Sequence, residues 1–238
     1  MKITSHGIAV IETDSHISHW VEAQGRLDIQ EGQILPWLKN VKIGGVCLDV
    51  GAFIGDTALT MSKHVGPMGI VIAVEPNPLA FACLEYNTKH NCHLDLNAVA
   101  LNFAVGTDAD SLATVELVTD INAGASYLAH TESAGSSIEV KSIDWIYWLM
   151  FNNDEPLSFI KIDVEGWEVK ALLSAQGTLA HHKPDLLIEI NHGALARQGN
   201  SMTDVTEILL RHGYTWEITD KSLTFDSPQF DIFATRQK

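Results

Sequence analysis

Short apolar runs alternate along this chain with amphipathic stretches, the pattern of a sheet wound by crossover helices and so of an α/β fold. Residues 46–50 (VCLDV) read as a buried strand, 51–55 as a turn, and 56–64 as a helix ended by Gly66-Pro67. Residues 70–75 are a second strand, rich in the β-branched side chains of a sheet covered on both faces. Pro78 opens a helix to about His90, with Phe81 and Leu84 on its inner stripe. Further strands are expected at 97–101, 158–163 and 185–190. Helices are expected at 142–151, with Ser142 as cap, at 167–175, and at 203–212, capped by Ser201 or Thr203. Residues 214–219 and 230–235 are strands joined by a loop too short for a crossover helix, which predicts an antiparallel pair.

Two segments stand outside the alternation. Residues 107–141 loosen into two exposed strands, 114–118 and 137–140, around a Gly/Ser/Ala-rich stretch at 122–136, and are expected to form an inserted hairpin. Residues 1–41 carry Ile17, Trp20, Leu27 and Trp37 and suggest a strand-plus-helix cap on a sheet edge, or a lid, with the main domain spanning 42–238. A length of 238 residues with 46% hydrophobic content supports one core. The 30 acidic against 15 basic residues, a net charge of −15, oppose a nucleic-acid partner. No apolar run is long enough to span a membrane, and the start lacks the apolar core and cleavage site of a signal peptide, so the expected location is the cytoplasm. Cys47, Cys83 and Cys92 form no C-x-x-C pair and are expected to be reduced, with Cys47 buried in its strand.

In an open parallel sheet the ligand crevice lies beyond the carboxyl ends of the strands. Acids follow the apolar runs there: Asp49, Glu75, and Asp163 with Glu165. The turn after Asp49 carries Gly51 and Gly55, which let the backbone bend sharply and approach a ligand. Its G-x-x-x-G spacing lacks the second glycine of a dinucleotide fingerprint, and Asp49 would repel a phosphate and attract a cation. Glu75, 24 positions after Gly51, is placed to accept both hydroxyls of a ribose, and Pro76-Asn77-Pro78 fixes it before the next helix. Asn77 is counted on the cofactor side with Glu75. Asn102, after the third strand, is either an adenine contact or a turn former. From Phe159 to Glu168 the chain alternates strictly, with Lys161, Asp163 and Glu165 on one face. In a sheet covered on both sides such a row is costly unless it is paired or lines a cavity. Gly166 and Trp167 are expected to add a tight turn and a flat apolar wall.

DVGAFIGD at 49–56, EPNPLAFACLEYN at 75–87, SIDWI at 142–146, FIKIDVEGWEVKALLSAQGTL at 159–179 and KPDLLIEIN at 183–191 together resemble the FkbM-type S-adenosylmethionine-dependent methyltransferases, over about residues 42–235. The resemblance implies a class I methyltransferase (Rossmann-like) fold: a mostly parallel seven-stranded sheet with the last strand antiparallel and helices on both faces. It also implies methyl transfer from S-adenosylmethionine, commonly to a hydroxyl oxygen. By the same resemblance Asp49 and Gly51 lie beside the methionine part of the cofactor, Glu75 on its ribose, and Asp163 where cofactor and acceptor meet. Phe53 stands where such proteins often have Asn, and Ala58 where Thr is frequent.

Methyl transfer from a sulfonium is an in-line displacement, so the protein must hold donor and acceptor together and remove a hydroxyl proton. Asp163 or Glu165 is expected to take or orient that proton, with Lys161 as the neighbouring positive charge. His192 is a second candidate base or else a loop residue. Asp14, His16 and His19 have metal-like proximity, and Asp163, Glu165 and Glu189 could gather a divalent cation, but no spacing demands one and no metal is assigned. The expected acceptor is a small molecule or glycan. Rival readings are a catalytically inactive cofactor-binding scaffold and a nicotinamide-dependent oxidoreductase, the latter opposed by the missing G-x-G-x-x-G.

Overall fold

The apolar runs become strands because successive side chains point to opposite faces and a layer of protein buries each face. A computed structural model describes residues 1–90, 97–107, 112–116, 127–129, 137–151 and 156–236, with backbone alone at 112–116 and 127–129. The chain starts with a two-stranded ladder, β1 (Lys2–Ile3) and β2 (Ala9–Val10), then helices α1 (Ile17–Gln24) and α2 (Glu31–Ile34) and a 3-10 turn at Leu35–Trp37. There follow β3 (Val46–Val50), α3 (Asp56–Val65), β4 (Ile70–Val74), α4 (Pro78–His90) and β5 (Ala98–Leu101). Four short strands come next, β6 (Ala104–Val105), β7 (Leu112–Glu116), β8 (Tyr127–Ala129) and β9 (Ser137–Lys141), and then α5 (Ile143–Phe151). The chain continues through β10 (Leu157–Ile162), α6 (Glu168–Leu173), α7 (Gln176–His181), β11 (Asp185–Asn191), α8 (His192–Arg197), α9 (Met202–Arg211), β12 (Tyr214–Ile218) and β13 (Gln229–Arg236).

The main sheet has seven strands in the order β12-β13-β11-β10-β3-β4-β5. All run parallel except β13, which opposes both β11 and β12. This is the mostly parallel class I methyltransferase sheet, with the last strand of the chain reversed as its short connection requires. Val46, Leu48, Ile160, Ile162 and Ile188 point to one face and pack under α5, α6 and α9. Cys47, Val71, Phe159, Leu187 and Phe233 point to the other face, under α3, Ile34 and Leu38. Ser201 and Asp204 form the capping box that starts α9.

Several elements depart from expectation. Residues 104–141 hold more than a hairpin: β7 and β9 do pair antiparallel, but β8 adds to β7 and β6 adds to β9, giving the order β6-β9-β7-β8. Leu117 and Val118, most of 122–136, and Cys92 lie outside the described residues. The single helix expected at 167–175 is followed by a second, α7, because Asp144 accepts from Gly177 N at 2.8 Å and Thr178 N at 2.7 Å and so caps a new start. His192 is the first residue of α8, capped by the Asn191 side chain accepting from Ala194 N, and not a loop residue. Trp167 is no wall of an open site: it is fully buried against Ala104 and Val140, anchoring the small sheet. Residues 1–41 lie on helices and a sheet face, with Ile8, Val10 and Val21 against Ile54 and Cys83, and Trp37 against Phe233 with ring centroids 4.8 Å apart.

Candidate active site

Register decides which strand-end residues meet. On the face under α3, Lys161 of β10 stands opposite Asp49 of β3 and Leu187 of β11, Asp49 opposite Ala73 of β4, and Leu187 opposite Phe233 of β13. One step of two residues toward the carboxyl ends carries this row to Asp163, Gly51, Glu189, Glu75 and Asp231. Of these, Glu189 and Asp231 are themselves cross-strand partners. The lower row sets the charged pair Lys161 and Asp49 among apolar neighbours, and the rim row is acidic apart from Gly51.

Lys161 Nζ donates to Asp163 Oδ2 at 2.7 Å, and both belong to the predicted set. Burial alone would lower the Lys161 ammonium, but Asp163, Asp49 and Asp56 outweigh it and hold the group charged. Carboxylate oxygens of Asp163, Glu165 and Glu189 lie within 4.8 Å of one another, the one such group of potential metal ligands among the described residues. Lys161, bound to Asp163, brings a positive charge to this group. Strand β10 ends at Ile162, so Glu165 does not continue the alternation; it reaches the cluster from a turn, at φ 51. Burial, then Asp163 and Glu168, push Glu165 up to about 7. Burial and the neighbouring Asp163 and Glu165 push Glu189 strongly upward as well, and its Oε2 is buried without a hydrogen-bond partner. Burial takes Asp231 up to about 6.

The glycine turn is shaped from inside the protein. A Cβ on Gly51 would stand 1.7 Å from the Asp163 carbonyl oxygen, so the glycine permits the close approach of β3 and β10. At Gly55 a Cβ would meet Leu84 at 2.9 Å. Glu75 accepts from Phe53 N at 2.9 Å and Asn77 N at 2.7 Å, one bond on each oxygen. Each oxygen keeps a lone pair for a ligand hydroxyl. Burial, partly offset by those two bonds, pushes Glu75 up to about 7. Asn77 caps α4, its Oδ1 accepting from Leu79 N. Asn102 spends its amide on the Glu75 and Pro76 carbonyls, so its carbonyl oxygen is what it can offer an adenine edge.

Asp49 is fully buried; its Oδ2 accepts from Thr57 Oγ1 at 2.5 Å and its Oδ1 has no partner. Burial pushes Asp49 upward against the pull of Lys161. Asp56, at the start of α3, also has an unpartnered buried oxygen, and burial takes it up to about 7. Orphaned carboxylate oxygens beside a bent turn fit a cationic ligand, and Glu75 fits a diol. Sequence reasoning missed Asp56 and Asp231 and gave Glu189 only a conditional part. His192 Nε2 lies 2.9 Å from the Phe225 carbonyl oxygen, so that nitrogen donates a proton and is no free base. Asp14 serves the start of α1, accepting from Ser18 N at 2.7 Å, and no metal-ligand group with His16 and His19 forms among the described residues. A separate cavity of about 520 Å³ between α5 and α7, lined by Asp144, Trp148 and His182 among others, contains none of the predicted site residues.

The sequence matches the family model described as the methyltransferase FkbM domain over residues 49–215. No curated protein matches it at a significant level. Among solved structures it is similar to a methyltransferase FkbM from Methylobacillus flagellatus KT, with a TM-score of 0.57 and 20% identity over 83% of this chain and 45% of that one. The chain thus spans less than half the length of that protein. It is also similar to a putative rRNA methylase from Clostridium thermocellum (TM-score 0.52, 12% identity, 87% of this chain and 95% of that one). Fibrillarin from Aeropyrum pernix with natively bound S-adenosyl-L-methionine has a TM-score of 0.50 and 17% identity, over 86% of this chain and 73% of that one. At these identities the likeness is one of fold.

Proposed function

The chain belongs to the FkbM methyltransferase family, and on that premise we propose that it methylates a hydroxyl oxygen of a small molecule or sugar. Its cofactor is S-adenosylmethionine, which supplies an electrophilic methyl group on a sulfonium centre. The observation that carries the proposal is the carboxylate group formed by Asp163, Glu165 and Glu189 at the rim, with oxygens within 4.8 Å of one another. Glu165, pushed up to about 7, has the proton affinity of a base that accepts a hydroxyl proton near neutral pH. Asp163, tied to Lys161, orients that hydroxyl. Glu189, whose carboxyl burial favours in its protonated form, donates a hydrogen bond to a second acceptor oxygen.

Asp49 and Gly51 flank the methionine part of the cofactor, and the acidic rim attracts its cationic groups while repelling polyanions, in line with the net charge of −15. Glu75 takes the ribose diol, with Gly55, Asn77 and Asn102 shaping its surroundings. No described helix is long and apolar enough to cross a membrane.

The test is incubation of the purified chain with methyl-labelled cofactor and fractionated metabolites, with mass spectrometry of labelled products. Labelled methyl ethers are expected, lost in Glu165→Gln and Asp163→Asn while S-adenosylhomocysteine still binds. Label on nitrogen or carboxylate, or undiminished turnover in both variants, would refute the acceptor and base assignments. Cofactor binding with no labelled product would instead favour a scaffold.

A further inference from the structure

Asn87 of α4 is 1% exposed, and its side-chain amide bridges two segments far apart in the chain. Its Oδ1 accepts from Ala9 N at 2.8 Å, and its Nδ2 donates to Ala9 O at 2.9 Å and to Ile54 O at 2.8 Å. Both polar groups of one β2 residue are therefore tied to the same amide as a carbonyl of the glycine turn. That turn needs outside support. Gly51, Phe53 and Gly55 all have positive φ, at 86, 48 and 98°, and Phe53 pays for its left-handed conformation with steric strain. From the cofactor side Glu75 Oε2 fixes Phe53 N; from the opposite side Asn87 fixes Ile54 O. Ile8, Val10 and Val21 pack with Ile54, Leu59 and Cys83 around this link, and Phe53 lies against them.

We propose that Asn87 is a positioning residue of the cofactor site, through which the N-terminal segment holds the turn at residues 51–55 in its binding shape. The inference rests on that turn being the seat of S-adenosylmethionine. It gives the N-terminal segment a part in cofactor binding although none of its residues stands in the acidic row.

The test compares wild type, Asn87→Ser and Leu209→Ala, the last placing a cavity in α9, in a core cluster separate from the one that holds Ile54 and Cys83. Amide hydrogen exchange of residues 51–57 is measured without ligand, and S-adenosylhomocysteine binding by calorimetry. In Asn87→Ser the turn is expected to exchange about tenfold faster and the affinity to fall about tenfold, the scale of one or two net hydrogen bonds. Leu209→Ala is expected to lower the melting temperature while leaving both readouts unchanged. Turn exchange in Asn87→Ser accelerated by less than about fivefold, a loss below one net hydrogen bond, would overturn the proposal whatever the melting temperature does. Should Asn87→Ser not fold, Ala9→Pro, which deletes the N–H donated to Asn87, is judged by the same exchange threshold. A wild-type chain that binds no S-adenosylhomocysteine would refute the cofactor seat, while the exchange data would still decide whether Asn87 holds the turn.

Discussion

Replacing Lys161 by Met keeps a long apolar stem but deletes the ammonium that faces Asp163, Asp49 and Asp56. Lys161 is buried, and removing one partner of a fully buried pair costs about 3–5 kcal/mol. The Asp163 side chain is 30% exposed, so water screens its share. The expected loss at pH 8 is therefore about 2–3 kcal/mol. The loss must also depend on pH. Burial already raises Asp49, and takes Asp56 up to about 7. A carboxyl raised in the fold contributes stability that is present at low pH and disappears as pH rises through its folded value. Without Lys161 these groups rise further; Asp56, already raised to about 7, is neutral at pH 5.5, so the loss there should be smaller by about 1–2 kcal/mol. Urea unfolding of both proteins at pH 5.5 and 8, with equal slopes, measures this directly. Adding Asp49→Asn to Lys161→Met should recover part of the loss at pH 8. An equal loss at both pH values, or none at pH 8, would refute the view of Lys161 as the counter-charge of a buried acidic group.

Gly51→Ala should cost about 3 kcal/mol or more and abolish S-adenosylhomocysteine binding, since its Cβ would overlap the Asp163 carbonyl and force β3 and β10 apart; a normal melting temperature and affinity would contradict this. Phe53 at φ 48 occupies a conformation that Asn tolerates and β-branched residues do not. Phe53→Asn is thus expected to be about 1–2 kcal/mol more stable than Phe53→Val in chemical denaturation. Asp56→Asn removes a buried carboxyl raised to about 7 with an unpartnered oxygen. It should stabilise at both pH values, by about 2 kcal/mol more at pH 8 than at pH 5.5, and change little only below about pH 4, where the carboxyl is protonated in the folded and unfolded chain alike; thermal melts from pH 4 to 8 check the slope.

The strand positions are legible in the sequence because burial on both faces leaves apolar runs bounded by Gly, Pro and acids, as at 46–50 and 70–74. The reversal of β13 is legible because its connection from β12 cannot hold a crossover helix. The α6–α7 break is not legible, since it depends on Asp144 reaching Gly177 and Thr178 from another helix. The acidic row is only half legible. Asp49, Glu75 and Asp163 follow apolar runs and declare themselves, whereas Glu189 and Asp231 join through strand register, which is set by long-range pairing. The alternation through Lys161 and Asp163 locates their pair, but Glu165 arrives by a left-handed turn that periodicity cannot foresee. Phe53 carries a partial signal, because its departure from Asn coincides with the positive φ found there.

The most direct measurement is a crystal structure of the chain with S-adenosylhomocysteine. The ligand should lie across the turn at 51–55, with both ribose hydroxyls on Glu75 and its sulfur facing the Asp163–Glu165–Glu189 group. Electron density for the ligand elsewhere, as in the cavity beside Asp144 and His182, or a ribose that bypasses Glu75, would contradict the acidic row as the seat of methyl transfer.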